Sequence, residues 1–163
     1  MPGPLHGVRV VELTSVVLGP WACQILADMG ADVIKVEPPA GDSNRQLGAS
    51  RHEGMAALYL TCNRNKRGVV LDVKQPAGRD ALLDLVRTAD VFVHNNRPQV
   101  MSKLGLDYAA LQPLNPMLIY CGGETDMAGT TSRVVHHGIG IAGDRRRDGI
   151  AEMRSHVARL MSD

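Results

Sequence analysis

The sequence predicts an α/β fold built on a parallel sheet with helices on its faces. Three observations carry that prediction. Short apolar runs rich in β-branched residues recur along the first 121 residues, each of strand length. Segments with apolar residues at helical spacing lie between them, so the pattern alternates strand and helix. Glycine and proline fall where such a chain needs them, with Gly30 and Gly105 behind helices and Pro20 and Pro76 at helix starts.

The first unit runs from Leu5 to Asp42. Val8 to Leu13 reads as a buried parallel strand and Thr14 to Pro20 as a turn. Trp21 to Met29 reads as a helix with Ala22, Ile25, Leu26 and Met29 on one face. Gly30 ends it, and Val33 to Val36 is the second strand. A parallel pair joined this way takes a right-handed crossover, and ligands of such folds bind at the carboxyl ends of the strands. Ser15 to Gly19 and Glu37 to Asp42 are therefore the first places to look for function.

Pro38 to Arg51 follows as a long loop and Gly54 to Thr61 as a short helix. A basic turn leads to a third strand, Val69 to Val73. Pro76 opens a helix to about Thr88, with Ala81, Leu82, Leu85, Val86 and Ala89 at helical spacing. Asp80 in its first turn and Arg87 in its last suit the helix dipole. Val91 to Val93 is the fourth strand and Asn95 to Pro98 the turn beyond it. Val100 to Leu104 is a short helix, Asp107 caps a helical turn from Tyr108 to Leu111, and Met117 to Cys121 is a fifth strand. After Cys121 the character changes. Gly122 to Ser132 has almost nothing to bury, Val134 to Gly143 is weakly apolar, and Asp148 to Met161 has helical spacing.

Composition narrows the function classes. With 163 residues and 44% hydrophobic content the chain has enough apolar material for one globular domain. A net charge of +1 and 3% aromatic content leave no footprint for nucleic acid. No apolar run has transmembrane length and the amino terminus lacks the features of a signal peptide, so no membrane partner is expected. Cys23, Cys62 and Cys121 are few, distant and odd in number, with no metal spacing and no disulfide framework, which fits a reducing cytoplasm.

Several residues are candidates for chemistry. Lys66, Arg67, Lys74, Asn95, Asn96, Arg97 and Lys103 gather near strand ends, as a phosphorylated or nucleotide-like ligand requires. Solvated loop residues and turn formers are the plain alternative. The first turn, SVVLGP, is neither a G-x-G-x-x-G nor a P-loop. His136-His137 is the one histidine pair, without further ligands at metal spacing, so no metal is expected. Nothing around Asp126, Asp144 or Asp148 marks a nucleophile or base, and catalytic residues stay unassigned.

Several blocks in order carry a family resemblance. They are PLHGVRVVEL with GPWACQILADMGADVIKVEPPAGD, NRNKRGVVLDVK with PAGRDALLDLVRTADVFVHNNRP, and VMSKLGLDYAALQPLNPMLIYC. Over residues 4 to about 121 the chain resembles the amino-terminal part of the family III CoA-transferases, a group that includes formyl-CoA and carnitine/bile-acid CoA-transferases and alpha-methylacyl-CoA racemases. The resemblance implies an incomplete Rossmann-like parallel sheet over residues 1–121 that holds coenzyme A at its edge, with a divergent tail over 122–163. It implies acyl-CoA and a carboxylic acid acceptor as substrates, and an interlocked homodimer in the full-length family. By motif position it assigns Val16, Leu71, Lys74, Asn95, Asn96 and Lys103 to the coenzyme. The family often has arginine at Lys103, and lysine keeps the charge without the bidentate fork. The formyl-CoA branch has glutamine where Val17 stands and a basic residue where Pro38 stands, which argues against formyl-CoA:oxalate exchange.

The tail departs from the family text. In the family a glycine-rich turn leads to an aspartate that attacks the acyl thioester and forms an enzyme-bound anhydride, and residues 122–163 do not match it. The racemase branch has a histidine at roughly the distance of His136 or His137. A truncated or frameshifted coding sequence is the favoured expectation, with a genuine short protein that kept the CoA-binding half as the alternative. Either way the chain alone is expected to be inactive. A non-catalytic CoA-binding or dimer-partner module and a racemase remnant are the other functional readings.

Overall fold

A computed structural model of the chain describes residues 3–122 and the backbone of residues 133–135. The strands are β1 (Arg9–Leu13), β2 (Asp32–Glu37), β3 (Arg67–Val70), β4 (Val91–His94), β5 (Ile119–Gly122) and β6 (Arg133–Val135). The helices are α1 (Leu18–Asp28), α2 (Ala57–Asn63), α3 (Pro76–Arg87), α4 (Pro98–Leu104) and α5 (Tyr108–Leu111). The sheet order is β3-β2-β1-β4-β5-β6. The first five strands pair in parallel, and β6 adds an antiparallel edge. The predicted α/β class with a parallel sheet and flanking helices is what forms. The order reverses between β1 and β4, so the crevice at the carboxyl ends of those two strands is the switch point of the fold.

Both faces of the sheet are covered, which is why its strands read as nearly continuous apolar runs. Successive residues alternate between two cores. Val10 and Val33 pack with Cys23, Ala27 and Ala31 under α1. Val11, Val36 and Phe92 pack with Leu82 and Val86 of α3, Met101 of α4, and Leu106, Leu111, Leu118 and Tyr120. Cys23 and Cys62 are buried free thiols, and Cys121 is half-buried.

Local signals hold well at the turns. Gly30 and Gly105 both take positive φ, +98° and +64°, behind α1 and α4. Asp107 caps α5 by accepting the Ala110 N–H. Pro76 opens α3.

Three expectations need correction. Helix α1 begins at Leu18, two residues before Pro20, which fits in the first turn because backbone N–H groups there have no intrahelical acceptor and the N–H that proline lacks costs no hydrogen bond. Its buried face is Pro20, Cys23, Gln24 and Ala27, not Ala22, Ile25 and Met29. Small side chains let the helix lie close on β1 and β2, and the larger Leu18, Trp21 and Ile25 point outward. The third strand starts at Arg67 and ends at Val70, so the predicted Val69–Val73 is shifted. Lys66 and Arg67 therefore stand at its amino end. Arg67 pairs with Asp32 at 2.6 Å, and Lys66 is buried against Glu12 at 2.7 Å. Neither belongs to a cluster of free cations at the carboxyl edge. His136, His137, Asp126, Asp144 and Asp148 lie outside the described residues.

Candidate functional site

The turn after β1 is held from both sides of the switch point. From β4, the Asn95 amide oxygen accepts the Ser15 N–H at 3.0 Å, and its Nδ2 donates to the Ser15 carbonyl at 2.8 Å. Asn96 Nδ2 donates to the Leu13 carbonyl at 3.2 Å. These two predicted site residues bind the turn's backbone, and the reciprocal pair on Ser15 replaces a strand ladder beyond the end of the sheet. Val16 follows with φ +71°, a left-handed backbone that a β-branched side chain adopts only when its surroundings impose it.

A buried chain of charges lies beneath the turn, between α1 and the sheet. Glu12 Oε2 meets Lys66 Nζ at 2.7 Å, Glu12 Oε1 meets Lys35 Nζ at 3.3 Å, and Lys35 meets Asp42 Oδ2 at 3.1 Å. Lys35 also donates to the Thr14 carbonyl at 3.0 Å, and Lys66 to the Pro20 carbonyl at 2.8 Å. The two lysines and two carboxylates balance, as burial demands. Burial pushes the Lys66 ammonium down, and the Glu12 carboxylate opposes it. Glu37 anchors the neighbouring loop through Arg45 at 2.7 Å and the Tyr59 hydroxyl at 2.8 Å. Burial alone would raise this carboxyl. Arg45, the Asp42 N–H and Tyr59 outweigh it and hold it at about 2.

A cleft of about 160 Å³ opens where α3 starts, lined by Val73, Lys74, Gln75, Pro76, Arg79, Lys103 and Leu104. It brings together Lys74 and Lys103, 29 positions apart in the chain. It adds Arg79, which sequence reasoning missed. None of the three cations has a carboxylate within ion-pair distance among the described residues. A signal for Arg79 was present: it stands in the first turns of α3, where the dipole disfavours a cation. Three unpaired cations around a small concavity favour a phosphate-bearing ligand. A larger cleft of about 580 Å³ lies at the amino edge of the sheet around Arg9 and Asp32. Its arginine is already held by Asp32 at 3.2 Å and Thr88 at 3.1 Å, so it offers an incoming anion less.

The remaining predicted residue, Leu71, is half-buried and packs against the core. His94, at the end of β4, is buried, and burial pushes its pKa down to about 4 against the smaller opposing effect of the Asn96 backbone. It is therefore neutral at pH 7. Gly122 leaves room for it, since a Cβ there would sit 2.9 Å from His94 Nε2. Among the described residues no group of three His, Cys, Asp or Glu side chains could hold a metal ion, and no helix is long and apolar enough to cross a membrane.

Comparison with known proteins gives a consistent result. A family model described as CoA-transferase family III matches residues 5–128. The succinate–glutarate CoA-transferase of Agrobacterium fabrum is 51% identical over 125 residues, which cover 72% of this chain and 31% of that protein. The acetyl-CoA:oxalate CoA-transferase of Acetobacter aceti is 41% identical over 137 residues, covering 83% of this chain and 34% of that protein. Among solved structures, a CAIB/BAIF family protein from Brucella suis superposes with a TM-score of 0.72 at 44% identity, over 75% of this chain and 33% of that one. The chain thus spans about a third of the length of the curated relatives it matches.

Proposed function

Because this chain belongs to CoA-transferase family III, we propose that residues 1–121 form the coenzyme A-binding domain of an enzyme that moves CoA between carboxylic acids. The cleft of Lys74, Arg79 and Lys103 carries this reading. Coenzyme A bears a diphosphate and a 3′-phosphate, and three cations with no acidic partner among the described residues match that charge. Leu71, next to the Asp72 to Lys74 turn, lies toward the adenosine. Val16, with Asn95 and Asn96 holding its turn, lies toward the thioester. The bound ligand is an acyl-CoA, and the acceptor is a second carboxylic acid.

In the proposed reaction an enzyme carboxylate attacks the thioester carbonyl carbon. The carbon–sulfur bond breaks, CoA leaves as the thiolate, and the acyl group stays behind as a mixed anhydride. Glu12, Glu37 and Asp42 are the acidic residues nearest the carboxyl ends of β1 and β2. All three are buried and held by Lys35, Lys66 or Arg45, so none is free to attack. The nucleophile of this reading therefore lies outside these three residues, and the expectation that the chain alone binds CoA without turning it over rests on the departure of residues 122–163 from the family text. Assembly into a homodimer, which the resemblance implies for full-length members of the family, is part of the same reading.

Calorimetric titration of the full chain with CoA tests this reading. Saturable binding is expected, weakened roughly ten- to hundredfold in Arg79→Ala because a charge-assisted contact is lost. Absence of binding would overturn the reading. Transfer from succinyl-CoA to glutarate by the purified chain, well above background, would overturn the assignment of inactivity.

A further inference from the structure

The left-handed Val16 is unexplained by its own sequence. It is neither glycine nor asparagine, the residues that enter this region readily, and a branched Cβ makes it worse. What imposes the conformation is the loop after β2. The Val16 N–H donates to Asp42 Oδ1 at 3.3 Å, and Asn44 Nδ2 donates to the Val16 carbonyl. Both polar groups of one residue's backbone are thus taken by two side chains of a single short loop. Those side chains are themselves held: Asn44 is 1% exposed and Asp42 4%, and Asp42 Oδ1 also accepts the Asn44 N–H at 3.0 Å. The other oxygen of Asp42 faces Lys35 at 3.1 Å, and the Asp42 N–H donates to Glu37 at 2.9 Å. A continuous line of contacts therefore runs from the buried ion chain through Asp42 to the backbone of the β1–α1 turn.

We propose that Asp42 and Asn44 are positioning residues, a latch that holds Val16 left-handed and so presents the β1–α1 turn to the thioester end of the bound acyl-CoA. This rests on the reading of that edge as the CoA site. Backbone strain persists only where surrounding structure over-determines it, and here the side chains that do so are identified. With the latch intact the turn has one conformation and the ligand meets a prepared surface. Without it Val16 relaxes toward its ordinary extended or helical basins, and binding then requires the strained state to be repopulated. A glycine at position 16 enters the left-handed region without strain, so it makes the latch dispensable.

The test uses the full chain, labelled with nitrogen-15, and two readouts: the intraresidue amide-to-Hα NOE of residue 16, strong at positive φ, and the Kd for CoA. Asn44→Ala should weaken the Val16 NOE and raise the Kd roughly tenfold. Asn44→Ala combined with Val16→Gly should return the Kd to within about threefold of Val16→Gly alone. A merely structural role for Asn44 would show no such rescue. An Asn44→Ala protein with unchanged NOE and Kd overturns the proposal, and so does a double variant that binds as weakly as Asn44→Ala. If Asn44→Ala unfolds, Asn44→Leu keeps the side-chain volume and carries the same measurements. A wild-type chain that binds no CoA overturns the CoA reading and the latch's role in it, while the NOE still decides whether Asn44 holds Val16.

Discussion

Replacing Lys35 with methionine probes the buried charges on which the β1–α1 turn rests. Methionine keeps the length of the stem and removes the ammonium, which is 1% exposed and lies between Asp42 Oδ2 at 3.1 Å and Glu12 Oε1 at 3.3 Å. At an effective dielectric of about 20 each contact is worth roughly 5 kcal/mol of Coulomb attraction, most of it offset by desolvation of the three charges. The two carboxylates fare differently in the variant. Glu12 keeps Lys66 at 2.7 Å and the Thr14 hydroxyl at 2.5 Å. Asp42 keeps only N–H donors, from Asn44 at 3.0 Å and Val16 at 3.3 Å, and becomes a buried charge without a counter-ion. Breaking such a pair by removing one partner costs about 3–5 kcal/mol, and the surviving N–H donors put this case near 3. For a chain of this size that lowers the melting temperature by roughly 6–12 °C. Urea unfolding followed by far-ultraviolet circular dichroism at pH 7 measures it. Lys35→Met with Asp42→Asn removes the orphaned charge and should recover all but about 1 kcal/mol of the loss. A single variant within about 1 kcal/mol of wild type, or a double variant no better than the single, would refute the electrostatic account of this core.

Acid should unfold the protein in two overlapping windows. His94 is held neutral, its pKa pushed by burial from 6.5 to about 4, so its contribution is complete above 6.5 and disappears as the pH falls to 4. Burial would raise the Glu37 carboxyl, but Arg45 and its other donors lower it from 4.5 to about 2, so its contribution is complete above 4.5 and is lost on the way down to 2. A urea midpoint unchanged between pH 7 and pH 5 would refute the His94 part. Gly78→Ala should lower the urea midpoint although alanine is the better helix former, because a Cβ there would lie 2.2 Å from the Asp72 carbonyl oxygen where α3 starts. A midpoint raised by that substitution would show that the turn before α3 yields.

By itself the sequence determined the order of strands and helices, the turns at Gly30, Pro76, Gly105 and Asp107, and the family. Each of these is written in residues close along the chain: an apolar period, a glycine free to take positive φ, a capping carboxylate, or a run of motif text. The resemblance assigned Lys74 and Lys103 to one candidate site by motif position, and the fold brings both to the cleft where α3 starts. Only the tertiary structure decided what the remaining charges do. Lys66 and Arg67 read like surface cations. One is buried on Glu12, and the other is bound to Asp32 at the opposite edge of the sheet. Helix α1 turned its small residues inward against the apolar pattern, because close approach to β1 and β2 is decided by the sheet beneath it and not by the helix's own hydrophobicity. The left-handed Val16 was equally illegible. Its conformation is imposed by Asp42 and Asn44, 26 and 28 residues away, and local preference at a valine points the other way. Periodicity records which neighbours along the chain share a face. Ion pairs, close approaches and imposed strain belong to partners that only folding brings together.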